Sequence, residues 1–258
     1  MKKYYFISGL PRSGSTLLTA ILNQNPNFYS DIASPLQDML ENNIEYMSGS
    51  DYSVNIDSQQ REDVLKNIVD GYYKNKPNQV IFDSSRAWTG NTALLKSLFP
   101  YTKIICCVRD INCILDSFEK IFNRNAYYKN FFFSKVAESS VITRCRSLMD
   151  VEKEGQVIKP LLWLKEGLSF NRDMIHLIEY NDLASNPEKT IKDVYNFIDQ
   201  PYFSHNFDYV EYSNDLFDLH VNTPNLHKVK GKVEYRPESI LLPGEVIQNY
   251  TGMEFWRN

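Results

Sequence analysis

The sequence predicts an α/β fold, a parallel β-sheet flanked by helices on both faces. Two observations carry that prediction. Short apolar runs at Tyr4–Ser8, Gln79–Phe82, Lys103–Val108 and Met174–Ile178 have the length and composition of buried strands, and stretches of helical period lie between them. Strand and helix alternating in this way is the rhythm of parallel strands joined by helical crossovers. The first run also passes straight into a glycine-bounded loop and then a helix, with Leu17, Leu18, Ile21 and Leu22 at helical spacing.

Taken in order, Tyr4–Ser8 is the first strand and residues 16–23 its following helix. Phe28–Ser30 reads as a short further strand. Ser34-Pro35-Leu36-Gln37 has the form of a capping box with proline at the first helical position, so a helix is expected over 35–47. Further helices are expected over 58–75, 89–98, 111–123, 134–154 and 160–170. Asn186-Pro187-Glu188 opens another over 187–199, with Ile191, Val194, Tyr195 and Ile198 on one face. Turn signals at Thr223-Pro224, Arg236-Pro237 and Pro243-Gly244 mark residues 200–258 as a wrap over the sheet edge or a lid on a site. No linker or repeat interrupts the chain, and residues 1–258 read as a single domain.

The chain has 258 residues, of which 43% are hydrophobic and 14% aromatic, ample for a sizeable core. No apolar run is long enough to span a membrane. The start, Met-Lys-Lys-Tyr-Tyr-Phe-Ile-Ser, reaches the Gly-Leu-Pro-Arg loop too soon for a signal peptide, which points to a cytoplasmic protein. The four cysteines agree with that compartment: Cys106 and Cys107 are neighbours in a strand and face opposite ways, and Cys113 and Cys145 show no metal-ligand spacing with them. A net charge of −4 excludes a generic nucleic-acid binder. It leaves room for a polyanionic ligand, because Arg12, Arg86, Arg109 and Lys228/Lys230/Lys232 are concentrated in motif-like stretches.

Residues 9–16, Gly-Leu-Pro-Arg-Ser-Gly-Ser-Thr, are the most telling. A strand, a glycine-bounded loop and a helix start point several backbone N–H groups and the positive end of the helix dipole at one spot, which suits a phosphate or sulfate. The pattern G-x-x-x-x-G-K-[ST] of nucleotide-triphosphate loops is met at Gly9, Gly14 and Thr16 but not at Ser15, where the lysine would stand. A cation is present at Arg12, which can grip an oxyanion through two parallel N–H bonds. This string resembles the 5′-phosphosulfate loop of the sulfotransferase family, whose members transfer a sulfuryl group from 3′-phosphoadenosine 5′-phosphosulfate (PAPS) and release adenosine 3′,5′-bisphosphate (PAP). The resemblance implies a P-loop-type fold and cofactor contacts from Pro11, Arg12, Ser13, Gly14, Ser15 and Thr16.

Other stretches extend it. Lys103–Val108 ends in Arg109-Asp110, with Ser117 about two turns into the next helix. Ligands of open parallel sheets bind beyond the carboxyl ends of strands, so Arg109 is well placed. The pair resembles the family's 3′-phosphate motif. Glu179-Tyr180-Asn-Asp182-Leu183 followed by Asn-Pro187 is similar to a strand–turn–helix stretch of many members. Its expected role is structural. Leu-His227-Lys228-Val-Lys230-Gly231-Lys232 looks like the C-terminal basic segment that closes over the bisphosphate, which implicates Lys230, Gly231 and Lys232; the same run also reads as a solvated basic turn.

The catalytic groups depart from the family pattern. Many relatives place a lysine after the strand that here reads Val-Ile-Phe-Asp83-Ser84-Ser85-Arg86, and Ser84 stands at that position. Arg86 is the expected substitute; without it the transition state loses a charge worth about 3–4 kcal/mol. Where the tyrosyl-protein branch has a glutamate this chain has Ala33, with Asp31 two residues earlier, and where cytosolic members have a histidine the strand ends at Asp83. Asp83 and Asp31 are therefore the candidate bases, with Asp38 behind them, and Arg12 and Arg86 hold the developing charge. His176 reads as a packing residue in a strand, while His220 and His227 stand in the tail as further acid–base candidates. Tyr127, Tyr128 and Phe131–Phe133 are candidate lining of an acceptor pocket. The resemblance implies an acceptor that is a small molecule, glycan, lipid or peptide bearing a hydroxyl or amine, and no metal requirement. The rivals are a P-loop kinase or NTPase with Thr16 and Asp83 on magnesium, and a catalytically weak nucleotide-binding protein.

Overall fold

The computed structural model describes residues 2–124, 140–237 and 239–257. Its centre is a five-stranded parallel sheet. The strands are β1 (Lys3–Gly9), β2 (Phe28–Ser30), β3 (Val80–Ser84), β4 (Ile104–Val108) and β5 (Ile175–Glu179), in the order β2-β3-β1-β4-β5. The earliest strand is thus central, and every strand presents its carboxyl end to one edge. Phe28–Ser30 is indeed a strand. β5 begins one residue later than the sequence suggests, and β3 runs on through Asp83 to Ser84.

Period-two alternation of apolar side chains gives the sheet a core on each side. Tyr4, Phe6, Ile81, Ile104 and Cys106 lie in one core; Tyr5, Ile7, Phe82, Ile105 and Cys107 in the other. The adjacent cysteines do face opposite ways, and burial raises both thiols above their ordinary range. On the first side pack α2 (Leu36–Gly49), α3 (Ser58–Tyr72), α4 (Thr92–Leu98), α5 (Ile111–Arg124), α6 (Val141–Leu148) and α7 (Ile158–Phe170). The second side takes α1 (Ser15–Leu22), α8 (Tyr180–Ser185) and α9 (Pro187–Phe197). No helix among the described residues is long and apolar enough to cross a membrane.

Three local expectations are corrected. The described part of the 134–154 helix stops at Leu148, because the Asp150 carboxylate accepts from the Glu152 and Lys153 amides and folds the chain into a turn. The 89–98 helix begins at Thr92, since Arg86–Thr89 form a 3₁₀ turn and Gly90 sits under Trp163, where a Cβ would come within 2.5 Å of the ring. The capping box at Ser34 does not close: its hydroxyl accepts from the Leu36 amide at 3.2 Å but donates to Asp83. A reciprocal box forms instead at α3, between Asp57 and Gln60.

Residues 200–258 carry β6 (Val210–Tyr212), α10 (Asp215–His220), β7 (Val229–Gly231) and α11 (Gly244–Tyr250). β6 and β7 form an antiparallel pair, so the basic stretch is a short strand rather than a turn. Further on, the Glu254 carboxylate accepts from the Ile111 amide at 2.8 Å and so satisfies the first turn of α5. The Leu241 amide donates to Asp116 on the same helix at 2.7 Å.

Candidate active site

The carboxyl ends of β1, β3, β4 and β5 open on a cleft of about 540 Å³, also lined by residues 226–234 and 236 of the tail. Its floor is the loop after β1. Three residues there hold positive φ: Gly9 at 122°, Arg12 at 59° and Gly14 at 95°. Such alternation of handedness curls backbone amides around a common centre, in front of the α1 N-terminus. The loop is pinned to β4. The Leu10 amide donates to the Cys107 carbonyl at 2.9 Å, and the Ser13 hydroxyl donates to the same carbonyl at 2.8 Å and to that of Leu10. The Ser13 side chain is therefore fully buried behind the loop and not on the cleft wall, while Pro11, Arg12, Gly14, Ser15 and Thr16 line the cleft.

Arg12 lies across the cleft. Its Nε donates to Ser117 Oγ on α5 at 3.1 Å, and one terminal nitrogen donates to the Leu226 carbonyl in the tail at 3.3 Å. Arg109, just past β4, donates to the Arg12 carbonyl at 3.1 Å and stacks on the Tyr180 ring at 4.3 Å. Tyr180 also fills the space beside Gly14, where a Cβ would come within 2.8 Å of its ring. The loop cation and the Arg109/Ser117 pair, about a hundred residues apart in sequence, thus meet in one place.

Arg86 follows β3. The Ser8 hydroxyl donates to its carbonyl at 2.9 Å, and its own guanidinium donates to Gln156 at 3.1 Å. Burial, with the Arg12 guanidinium nearby, lowers its pKa to about 10, so it stays charged at neutral pH. Beside it, Ser84 borders the cleft, its hydroxyl buried and without a hydrogen-bond partner among the described residues. Lys120 and Arg124 extend the positive wall along α5, one and two turns beyond Ser117. Lys230 and Lys232 line the rim, paired with Glu211 at 3.2 Å and Asp208 at 2.8 Å. Gly231 between them holds φ at 115°. Among the described residues of the lining, Glu234 is the only carboxylate. A chain of net charge −4 therefore builds a cationic hollow.

Neither expected base reaches this hollow. Asp83 points to the other face of the sheet, 1% exposed, and its carboxylate accepts from Ser34 and Tyr73 at 2.5 Å each and from Trp88 at 2.7 Å. Strand alternation explains it: Ser84, one residue on, takes the cleft side. Asp31 accepts from Tyr29 at 3.2 Å and from Tyr212, and lies outside the cleft lining, as does Asp38. His176 stacks on Phe197 with ring centres 5.1 Å apart, as a packing residue should. His220 is exposed on α10, away from the lining. Tyr127, Tyr128 and Phe131–Phe133 lie outside the described residues.

The other tail candidate, His227, is held by a carboxylate. Its ring lines the cleft, Nδ1 lies 2.6 Å from Asp218 Oδ1, and its amide donates to the other carboxylate oxygen at 3.0 Å. The two stand nine positions apart in sequence, a spacing without a motif. Lys120 and Arg124, by contrast, were legible as i+3 and i+7 of Ser117.

The model of the sulfotransferase family matches residues 5–204. No curated protein matches the sequence at a significant level. Among solved structures, the fold is like that of the sulfotransferase domain from the curacin biosynthetic pathway (20% identity, TM-score 0.51, covering 79% of this chain and 76% of that one). It is also like that of a sulfotransferase from Alicyclobacillus acidocaldarius (16% identity, TM-score 0.50, 80% and 84%). A mouse sulfotransferase complexed with PAP aligns at a TM-score of 0.47, with 13% identity over 79% of this chain and 61% of that one. The family match takes in the loop after β1, Arg109 and Ser117, most of β1 and the other four parallel strands, and the chain belongs to the sulfotransferase family.

Proposed function

We propose that the chain moves a sulfuryl group from PAPS to a hydroxyl or amine acceptor. The observation that carries this reading is the 3.1 Å hydrogen bond from Arg12 Nε to Ser117 Oγ, which joins the two anion motifs across one cleft. The residues fit the donor. The loop amides, Pro11, Gly14, Ser15, Thr16 and Arg12 suit the 5′-phosphosulfate, Ser13 acting from behind by fixing the loop. Arg109 and Ser117 suit the 3′-phosphate, Tyr180 holding the Arg109 plane, and Lys230, Gly231 and Lys232 suit the rim. Arg86 supplies the charge that Ser84 does not.

The donor supplies an activated sulfuryl group. The protein's part is to hold it, keep guanidinium groups where negative charge develops, and admit the acceptor in line. No metal has a part in this reading. A kinase is disfavoured because Ser15 replaces the lysine and Asp83, on the opposite sheet face, cannot join Thr16 on a magnesium ion. The four cysteines, free of disulfides and three of them buried, suit a reducing cytoplasm.

Thermal melts with PAP and, separately, with Mg-ATP test the reading. At about 100 times its dissociation constant PAP should add about 2.7 kcal/mol, a rise of roughly 5–10 °C, and Mg-ATP should add nothing comparable. Stabilisation by Mg-ATP alone, or by neither, would overturn it.

A further inference from the structure

We propose that His227, oriented by Asp218, is the general base of sulfuryl transfer and takes the acceptor's proton at Nε2. This rests on the cofactor reading above and adds the group that reading lacks.

The chain has four histidines, and only His227 lines the cleft. Its position is set from both sides. The preceding carbonyl, that of Leu226, accepts from the Arg12 guanidinium at 3.3 Å, so the imidazole stands one residue from the cation assigned to the sulfuryl end. On the other side Asp218, 1% exposed, takes Nδ1 with one oxygen and the His227 amide with the other. Phe217 closes against the ring edge-on, with centres 5.3 Å apart. Among the described residues Nε2 makes no hydrogen bond. A buried carboxylate on Nδ1 fixes that nitrogen as the donor and leaves Nε2 as a lone-pair acceptor, the state a base requires.

The groups facing the ring are Asp218 from α10, Arg12 from the loop and Arg86 from the turn after β3, with Lys228 adjacent in the chain. Burial pulls the imidazole below its ordinary value, Asp218 pulls it up, and the two guanidinium groups pull it down again, for a net lowering. His227 is therefore neutral at pH 7. In the transfer step the acceptor O–H or N–H bond breaks and its proton passes to Nε2. The acceptor atom bonds to sulfur, and the bond from sulfur to the 5′-phosphate oxygen breaks, its electron pair leaving with PAP.

The test has two arms. By ¹H–¹⁵N correlation on the wild-type protein at pH 7.5, His227 should be the Nδ1–H tautomer, and PAP should move its protonation midpoint upward. An Nε2–H tautomer, or a midpoint indifferent to bound PAP, would overturn the proposal. In the second arm ³⁵S-labelled PAPS is the donor, with water or a phenol as acceptor. H227Q should release or transfer sulfate about 10²–10⁴-fold more slowly and lose the acid limb of the pH profile, while PAP still raises its melting temperature as in wild type. D218N should lower kcat with the KM for PAPS unchanged. An H227Q protein that binds PAP and keeps the wild-type rate overturns the base alone. A wild-type protein that fails to bind PAP overturns the cofactor reading itself.

Discussion

Asp83 and Ser84 show how much one residue of strand register decides. Both are polar, adjacent and at the end of β3, but the pleat sends Ser84 to the cleft and Asp83 under α2 and α3. Three donors converge on the Asp83 carboxylate, and burial still raises its pKa above the usual carboxylate range. The sign follows: a raised carboxyl favours the fold while protonated, and that contribution is lost as pH rises through its folded value. Asp83→Asn can accept from Trp88 and donate to the two hydroxyls. It should therefore stay folded, keep more than about half the transfer rate, and lose that pH-dependent decline in urea midpoint. A folded Asp83→Asn protein without transfer would return Asp83 to the catalytic machinery.

At the scale of elements, the loop after β1 and the tail hairpin use glycine for different reasons. A Cβ on Gly9 would lie 2.1 Å from the Cys107 carbonyl oxygen, against the backbone of a central strand, at a φ of 122°. At Gly231, φ is 115° and nothing lies within 4 Å. Gly9→Ala should thus lower the melting temperature by roughly 10 °C or prevent folding, since strain and a backbone clash add. Gly231→Ala should cost only the strain, about 1–2 kcal/mol. Equal losses in the two variants would contradict the close approach of β1 to β4. The loop was legible because glycine, arginine and hydroxyl spacing is local. The cap on α5 was not: Glu254 reaches the Ile111 amide from 143 residues away, and no window of sequence joins them. The helix expected over 134–154 failed for a related reason, since Asp150 can draw in backbone amides as well as continue a helix.

For the molecule as a whole, stability and binding respond to different charges. His205 is packed against Tyr195, whose hydroxyl lies 3.0 Å from Nε2, and burial lowers its pKa to about 4. A depressed histidine stabilises the fold above its ordinary value of 6.5, and that contribution is lost as pH falls from there toward 4. His205→Phe should therefore reduce the difference in urea midpoint between pH 7 and pH 4.5, with PAP binding unaltered. An unchanged difference would mean that His205 is solvated in the folded protein.

The sequence by itself determined the class of fold and the family. Strand period, helix period and the glycine–arginine loop are short-range patterns, each needing only a few neighbouring residues to act. The sheet order, the side of the sheet that Asp83 takes, the meeting of Arg12 with Ser117 and Leu226, and the pairing of His227 with Asp218 belong to the tertiary structure alone. Those are contacts between side chains that the chain brings together only after its two cores have closed on the sheet, and apolar burial, which drives that closure, is blind to which polar groups it leaves facing one another.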